Sequence, residues 1–248
     1  MIDVALVYPY VYKQARNAML FYPLGVSQLS AILRKKGIPT RVFDATFQNF
    51  QNLPDKIARS SPKVVGIYVM MTMSGNARQL AAWLRKQLPD VILACGGPMP
   101  TLRPESFCKE FDFIFRGEAV ESFPKFCGDY LESKNVGGLL VHPGRYPGIY
   151  HREMKGEKIV QSSCRSCTEQ QLDQLPLPDI SDYDHDQYRS FWDERELFRP
   201  ACIMTTFGCP FDCEFCSKPI FGRNFRRRSM DKIMAEIDVI RTHGYDGL

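Results

Sequence analysis

Val64-Val-Gly-Ile-Tyr-Val-Met70 and Val91-Ile-Leu-Ala-Cys95-Gly-Gly97 flank a stripe formed by Ala77, Leu80, Ala81, Leu84 and Leu88. Each run is apolar without alternation, the pattern of a strand buried on both faces. The stripe recurs every three or four residues, which is one face of an amphipathic helix. Strand, crossover helix and strand in that order make a βαβ unit, and such a unit needs parallel neighbours. The region therefore reads as a parallel sheet covered by helices.

The pattern extends both ways from this unit. Ile2–Val7 and Arg41–Ala45 read as strands on either side of a helix over Leu24–Lys36, where Val26, Leu29, Ser30 and Leu33 share a face and Gly37 is the stop. Phe111–Phe115 is a further strand. Val120–Leu131 closes the unit as a helix, with Phe123, Phe126, Cys127 and Tyr130 available for packing. Residues 1–131 thus form an α/β domain of flavodoxin-like or Rossmann-like type. Ligands of such sheets sit at the carboxyl ends of the strands. Those ends are Tyr8–Tyr12, Ala45–Phe47, Met71–Ser74, Gly96–Thr101 and Arg116–Glu118.

Residues 132–200 read as a connector. Ile149–Met154 and Lys158–Gln161 form a hairpin around Lys155-Gly156, and Leu175-Pro-Leu-Pro-Asp179 imposes an extended course because proline restricts itself and the preceding residue. Asp182, Asp184 and His185 imitate a metal cluster but read as a solvated acidic loop. Trp192 and Phe198 read as aromatic anchors of the connector, and the four histidines, at 142, 151, 185 and 243, as surface residues.

Residues 201–248 open with Ala201–Thr206, read as a strand, followed by Cys209, Cys213 and Cys216 at C-x3-C-x2-C spacing. Three thiols on one tight loop suit an iron–sulfur cluster, and the absence of a fourth leaves one iron open to another molecule. A zinc site would pair Cys213 and Cys216 with Cys164 and Cys167, leaving Cys209 unused across a long gap. Nine cysteines is an odd count for a disulfide framework. Cys95, Cys108, Cys127 and Cys202 lie in or beside apolar segments and read as small hydrophobes. Arg223 and Arg226–Arg228, with Lys218, read as a charged loop leading into a helix that Ser229 caps and whose face carries Ile233, Ile237 and Ile240.

The cysteine spacing, with Phe215 just before the last thiol, resembles the cluster loop of the radical S-adenosylmethionine (radical SAM) superfamily. The family's catalytic domain is a partial (β/α) barrel, so the chain, ending at Leu248, is expected to hold its first βα unit and to be truncated within it. The resemblance implies that Cys209, Cys213 and Cys216 hold a [4Fe–4S] cluster, that S-adenosylmethionine binds the open iron with Phe215 near its adenine, and that an external donor reduces the cluster.

A second resemblance covers most of residues 1–130. Pro23-Leu-Gly25, Asp44-Ala45, Gly66, Thr72, Gly96-Gly-Pro-Met-Pro-Thr101, Asp112 and Arg116-Gly-Glu118 with Glu121 are similar, in order and placement, to the cobalamin-binding domain that precedes many radical SAM domains. It implies cobalamin contacts from Tyr8, Thr72, Ser74, Gly96, Gly97, Thr101 and Glu118. The D-x-H-x-x-G pattern that gives cobalt a histidine in many corrinoid proteins is absent. Together the resemblances imply the front part of an enzyme that methylates, or otherwise remodels by radical chemistry, a small-molecule substrate, with a complementary chain supplying the rest of the barrel. The alternatives are a non-catalytic corrinoid- or metal-binding module and a methylthiotransferase-like RNA-modifying enzyme. The latter normally carries cysteines near its start, whereas none precedes Cys95 here.

Composition sets outer bounds. The 248 residues carry a formal charge of only +4, which gives no chain-wide electrostatic case for nucleic acid. The N-terminus lacks the pattern of a signal peptide, and the longest apolar stretch, near Val64–Met71, is far below the roughly 20 residues that span a bilayer. A cytoplasmic protein is expected.

Overall fold

The computed structural model describes residues 1–12, 19–140, 142–152, 159–195, 198–216 and 220–248. The first domain runs β1 (Val4–Tyr8), α1 (Leu24–Lys35), β2 (Thr40–Asp44), α2 (Leu53–Arg59), β3 (Val64–Tyr68), α3 (Ser74–Gln87), β4 (Ile92–Gly96), α4 (Pro98–Leu102), β5 (Phe113–Phe115) and α5 (Ser122–Ser133). The remainder adds α6 (Val136–Leu140), β6 (Ile149–Arg152), β7 (Ile159–Gln161), α7 (Glu169–Gln174), α8 (His185–Asp193), β8 (Thr206–Phe207), β9 (Arg226–Arg227) and α9 (Met230–Thr242).

One sheet in the order β2-β1-β3-β4-β5-β6-β7 organises the molecule, with β1 to β5 parallel and β6 and β7 antiparallel. The order of the first five strands is the flavodoxin-like arrangement, as expected. Alternation along each strand supplies two cores. Val4 and Leu6 of β1 face α1 and α5, with Val26, Leu33, Phe123 and Phe126. Ala5 and Val7 face α2 and α3, with Leu53, Ile57, Leu80 and Leu84. The α3 stripe is fully buried at Ala77, Leu80, Ala81 and Leu84, which is why its periodicity is readable.

The connector is built into this domain. Tyr150 pairs with Ile114, so the hairpin extends the sheet; its expected residues Met154, Lys155, Gly156 and Lys158 lie outside the described residues. The acidic stretch departs from a solvated loop because its groups have backbone and arginine partners. Asp182 accepts from the Val42 N–H of β2 at 2.7 Å and pairs with Arg34 at 2.5 Å, while Asp184 caps α8 through the Gln187 N–H. Trp192 is buried and donates to the Leu20 carbonyl, as an anchor should; Phe198 is instead 58% exposed, lying over Gly247.

The histidines also depart from expectation. Only His142 is exposed. His151 stacks on Phe113 and bonds the Asp112 carbonyl, and His185 bonds the Ile180 carbonyl and the Tyr245 hydroxyl. The strand expected at Ala201–Thr206 shrinks to β8, which pairs with β9, plus a parallel bridge between Pro200 and Gly247. The segment between them finds no ladder partner among the described residues. Ser229 stands at the N-cap of α9 but makes no side-chain cap; its N–H donates to Asp173 instead. No described helix is long and apolar enough to cross a membrane.

Candidate functional site

A cavity of about 340 Å³ opens at the carboxyl ends of β3, β4 and β5 and runs down between the sheet, α1 and α5. It lies beside the reversal of strand order between β1 and β3, where the backbone crevice of such sheets receives ligands. Glycine makes the room. A Cβ on Gly66 would stand 2.8 Å from the Phe123 ring and 3.1 Å from Leu6, and one on Gly97 would stand 2.8 Å from the Val69 carbonyl. Gly97 also holds φ at +109°, open to glycine alone at little cost. Gly25 adds open space at the start of α1.

The far wall comes from the other end of the chain. Met204, Phe207, Ile220, Phe221, Arg228 and Glu236 line the same cavity, with Leu175, Pro176 and Pro178 of the connector between. The lining is mostly apolar, with Gln28, Glu118, Arg228 and Glu236 as its polar groups. Arg228 meets Glu236 at 2.5 Å, both nearly buried, and burial raises the Glu236 carboxyl while Arg228 lowers it.

Of the seven positions expected to contact cobalamin, Gly96, Gly97 and Glu118 line the cavity. Thr101 stands behind it: its hydroxyl donates to the Gly97 carbonyl at 2.8 Å and accepts the Gly117 N–H at 3.0 Å, so it fixes both glycine loops. Tyr8 ends β1 among Tyr10 and Tyr68, and burial, then Tyr68 and Asp44, pushes its phenol up from the ordinary tyrosine value. Thr72 is exposed and Ser74 donates to the Met71 carbonyl; these two flank the strand ends outside the cavity lining. The far-wall residues carry no local signal, because their neighbours in space are distant in sequence.

Cys209 is half-buried, and Cys213 and Cys216 are exposed on a loop closed by Gly208. Gly208 has φ +74° and its Cβ position falls 2.1 Å from the Asn224 carbonyl, so the loop returns on itself there. The Cys209 N–H donates to the Gly222 carbonyl and the Cys216 N–H to that of Cys213. Phe215 is 93% exposed. Among the described residues no three His, Cys, Asp or Glu side chains converge as a metal centre. All nine cysteines are thiols; as donors the three on this loop suit a cluster with one unliganded iron.

The basic run is not an open patch. Arg223 pairs with Asp212, Arg226 with Glu118 and Arg228 with Glu236, the last two in buried contacts that fix the loop internally. Lys218 lies outside the described residues.

Comparison with known proteins agrees with this geometry. Residues 16–126 match the B12 binding domain family. The chain is 24% identical over 224 residues to an uncharacterized methyltransferase of Pyrococcus horikoshii, covering 88% of this chain and 45% of that protein. It is 27% identical over 240 residues to an anaerobic magnesium-protoporphyrin IX monomethyl ester cyclase of Synechocystis, covering 90% and 43%. The cobalamin-dependent S-adenosylmethionine radical enzyme OxsB, solved with aqua-cobalamin bound, superposes with a TM-score of 0.75 at 16% identity over 98% of this chain and 32% of that one. The chain therefore spans less than half the length of these relatives.

Proposed function

We propose that the chain is a B12-binding radical SAM protein: that it binds cobalamin in the glycine-lined cavity, carries a [4Fe–4S] cluster on Cys209, Cys213 and Cys216, and forms the cofactor-holding front of an enzyme that alkylates a small molecule, a reading supported by the B12-binding match over residues 16–126 and by the likeness in fold to OxsB. The observation that carries this reading is the cavity itself. One wall is the strand ends of the B12-binding domain and the other is the segment that bears the three cysteines.

The residues fit such a group. Gly66, Gly96 and Gly97 line a mostly apolar cavity, and because Phe123, Phe115 and Tyr68 already close on them, a side chain at any of the three would displace its wall. Among the described residues no histidine lines the cavity. Bound together, cobalamin, S-adenosylmethionine and the cluster supply a transferable methyl group and one-electron cleavage of a carbon–sulfur bond. The chain's own contributions are positional. Thr101 holds the two glycine loops in register, Phe123 and Leu6 form the floor, and Phe207 and Phe221 keep water from the far wall. On this reading Phe215, exposed beside the last cysteine, would lie near the adenine of S-adenosylmethionine. An external electron donor and a complementary barrel portion are the partners this reading requires.

Anaerobic purification followed by iron, sulfide and cobalt analysis tests it. We expect cobalamin uptake by the chain, and loss of iron and sulfide with retained cobalamin when Cys209, Cys213 and Cys216 are replaced by alanine. A wild-type protein that takes up zinc in place of iron and sulfide, or binds no corrinoid, overturns the reading.

A further inference from the structure

A single guanidinium joins the wall of the cavity to the return of the cysteine loop. Arg226 Nη2 lies 2.6 Å from Glu118 Oε1, with the two side chains only 8% and 3% exposed. That contact is an ion pair set off the hydrogen-bonding axis of Oε1. The aligned hydrogen bonds go elsewhere: Nη1 donates to the Cys167 carbonyl at 2.7 Å, Nη2 to the Phe221 carbonyl at 3.0 Å and Nε to the Asn224 carbonyl at 3.2 Å. Glu118 Oε2 in turn accepts the Cys167 N–H at 3.0 Å. Three stretches remote in sequence, 116–118, 164–167 and 220–226, are thus held by one side chain. Gly117, Glu118, Ile220 and Phe221 all line the cavity, so the same contact sets both of its walls.

We propose that Arg226 is a positioning residue that fixes the cluster loop against the corrinoid pocket, with Glu118 as its fulcrum; the functional part of this inference rests on the reading given above. Burying two charges is costly and is only weak evidence of added stability, whereas removing one partner strands the other. Its role is therefore placement. The planar fork of arginine serves several carbonyls and a carboxylate at once, which the point charge of lysine cannot. Beside it, Arg228 bonds the Met204 carbonyl and Glu236, so the arginines on both sides of Arg227 turn inward and hold the segment that follows the cysteines.

Hydrogen–deuterium exchange on the full chain without cofactors reads the contact directly. In Arg226→Gln, amides in 116–118 and 164–168 and those in 206–209 and 221–227 should exchange together at least about tenfold faster, with β1 and β3 unchanged. Glu118→Gln should match it, and Arg226→Lys, which keeps the charge, should fall between. Acceleration confined to 206–227, or none, overturns the proposal; should Arg226→Gln unfold throughout, Arg226→Lys and Glu118→Gln decide the matter in the same way. With cobalamin and a reconstituted cluster, the reduced cluster should speed the electron-spin relaxation of cob(II)alamin in the wild type. In Arg226→Gln that enhancement should fall at least about twofold at unchanged iron and cobalt content. An unchanged enhancement overturns the positioning role. A wild type that takes up neither cofactor refutes the functional reading, while the exchange data still judge the contact.

Discussion

Gly66 shows how much one missing methyl group decides. It lies within a strand whose neighbours Val65 and Ile67 are buried, and the space above its Cα is bounded by Phe123 and Leu6. Gly66→Val should overpack that space at a cost of about 1–3 kcal/mol in urea melts. It should also weaken cobalamin binding by at least about tenfold in an absorbance titration, or about 1.4 kcal/mol. Asp44, at the end of β2, carries the opposite lesson. Burial raises its carboxyl above the ordinary value, against hydrogen bonds from the Thr46 side chain and backbone and the Tyr188 hydroxyl. A proton held more tightly in the folded than in the unfolded chain stabilises the fold at low pH, and that contribution is lost as pH rises through the folded-state value. Urea melts across the range from about pH 4 upward should show this decline, and Asp44→Asn should flatten it. A glycine inside an apolar strand is legible in sequence as a place of close approach; the partner that fills the space is not.

At the level of elements, legibility follows locality. The α3 stripe can be read because its cause lies within successive turns of one helix, and the double glycine at the end of β4 because it stands at a strand end, although the Val69 carbonyl that Gly97 admits belongs to a neighbouring strand end. The membership of β6 and β7 in the main sheet cannot, because it depends on Ile114 and Tyr150 meeting across a connection with no periodic signal. Helix α8 does carry a local signal, one absent from the sequence expectations: Tyr188, Phe191 and Trp192 recur at helical spacing behind the Asp184 cap, and they pack into the core of the first domain. The cysteine loop stands between these cases. Its spacing is local, but its shape depends on Gly208 passing beside the Asn224 carbonyl. Gly208→Ala places a methyl group at a positive φ and against backbone, so reconstituted iron and sulfide should fall to less than about half of wild type. Cobalamin uptake, measured on the same samples, should change by less than about twofold.

Across the whole molecule, the first domain lacks one wall of its own cavity. Removing residues 201–248 takes away Met204, Phe207, Ile220, Phe221, Arg228 and Glu236 together. The shortened chain should keep its sheet, read by circular dichroism, yet bind cobalamin at least about tenfold more weakly; equal affinity would show the far wall to be dispensable. The connector has a further consequence at this scale. An outermost strand with bare N–H groups is a template for joining other copies of a chain. Here the Asp182 carboxylate occupies the Val42 amide on the β2 margin, and the opposite margin ends in the three residues of β7. Asp182→Ala should uncover the first margin, and light scattering during refolding should rise with protein concentration. What links the two halves of the chain also guards its sheet against self-assembly.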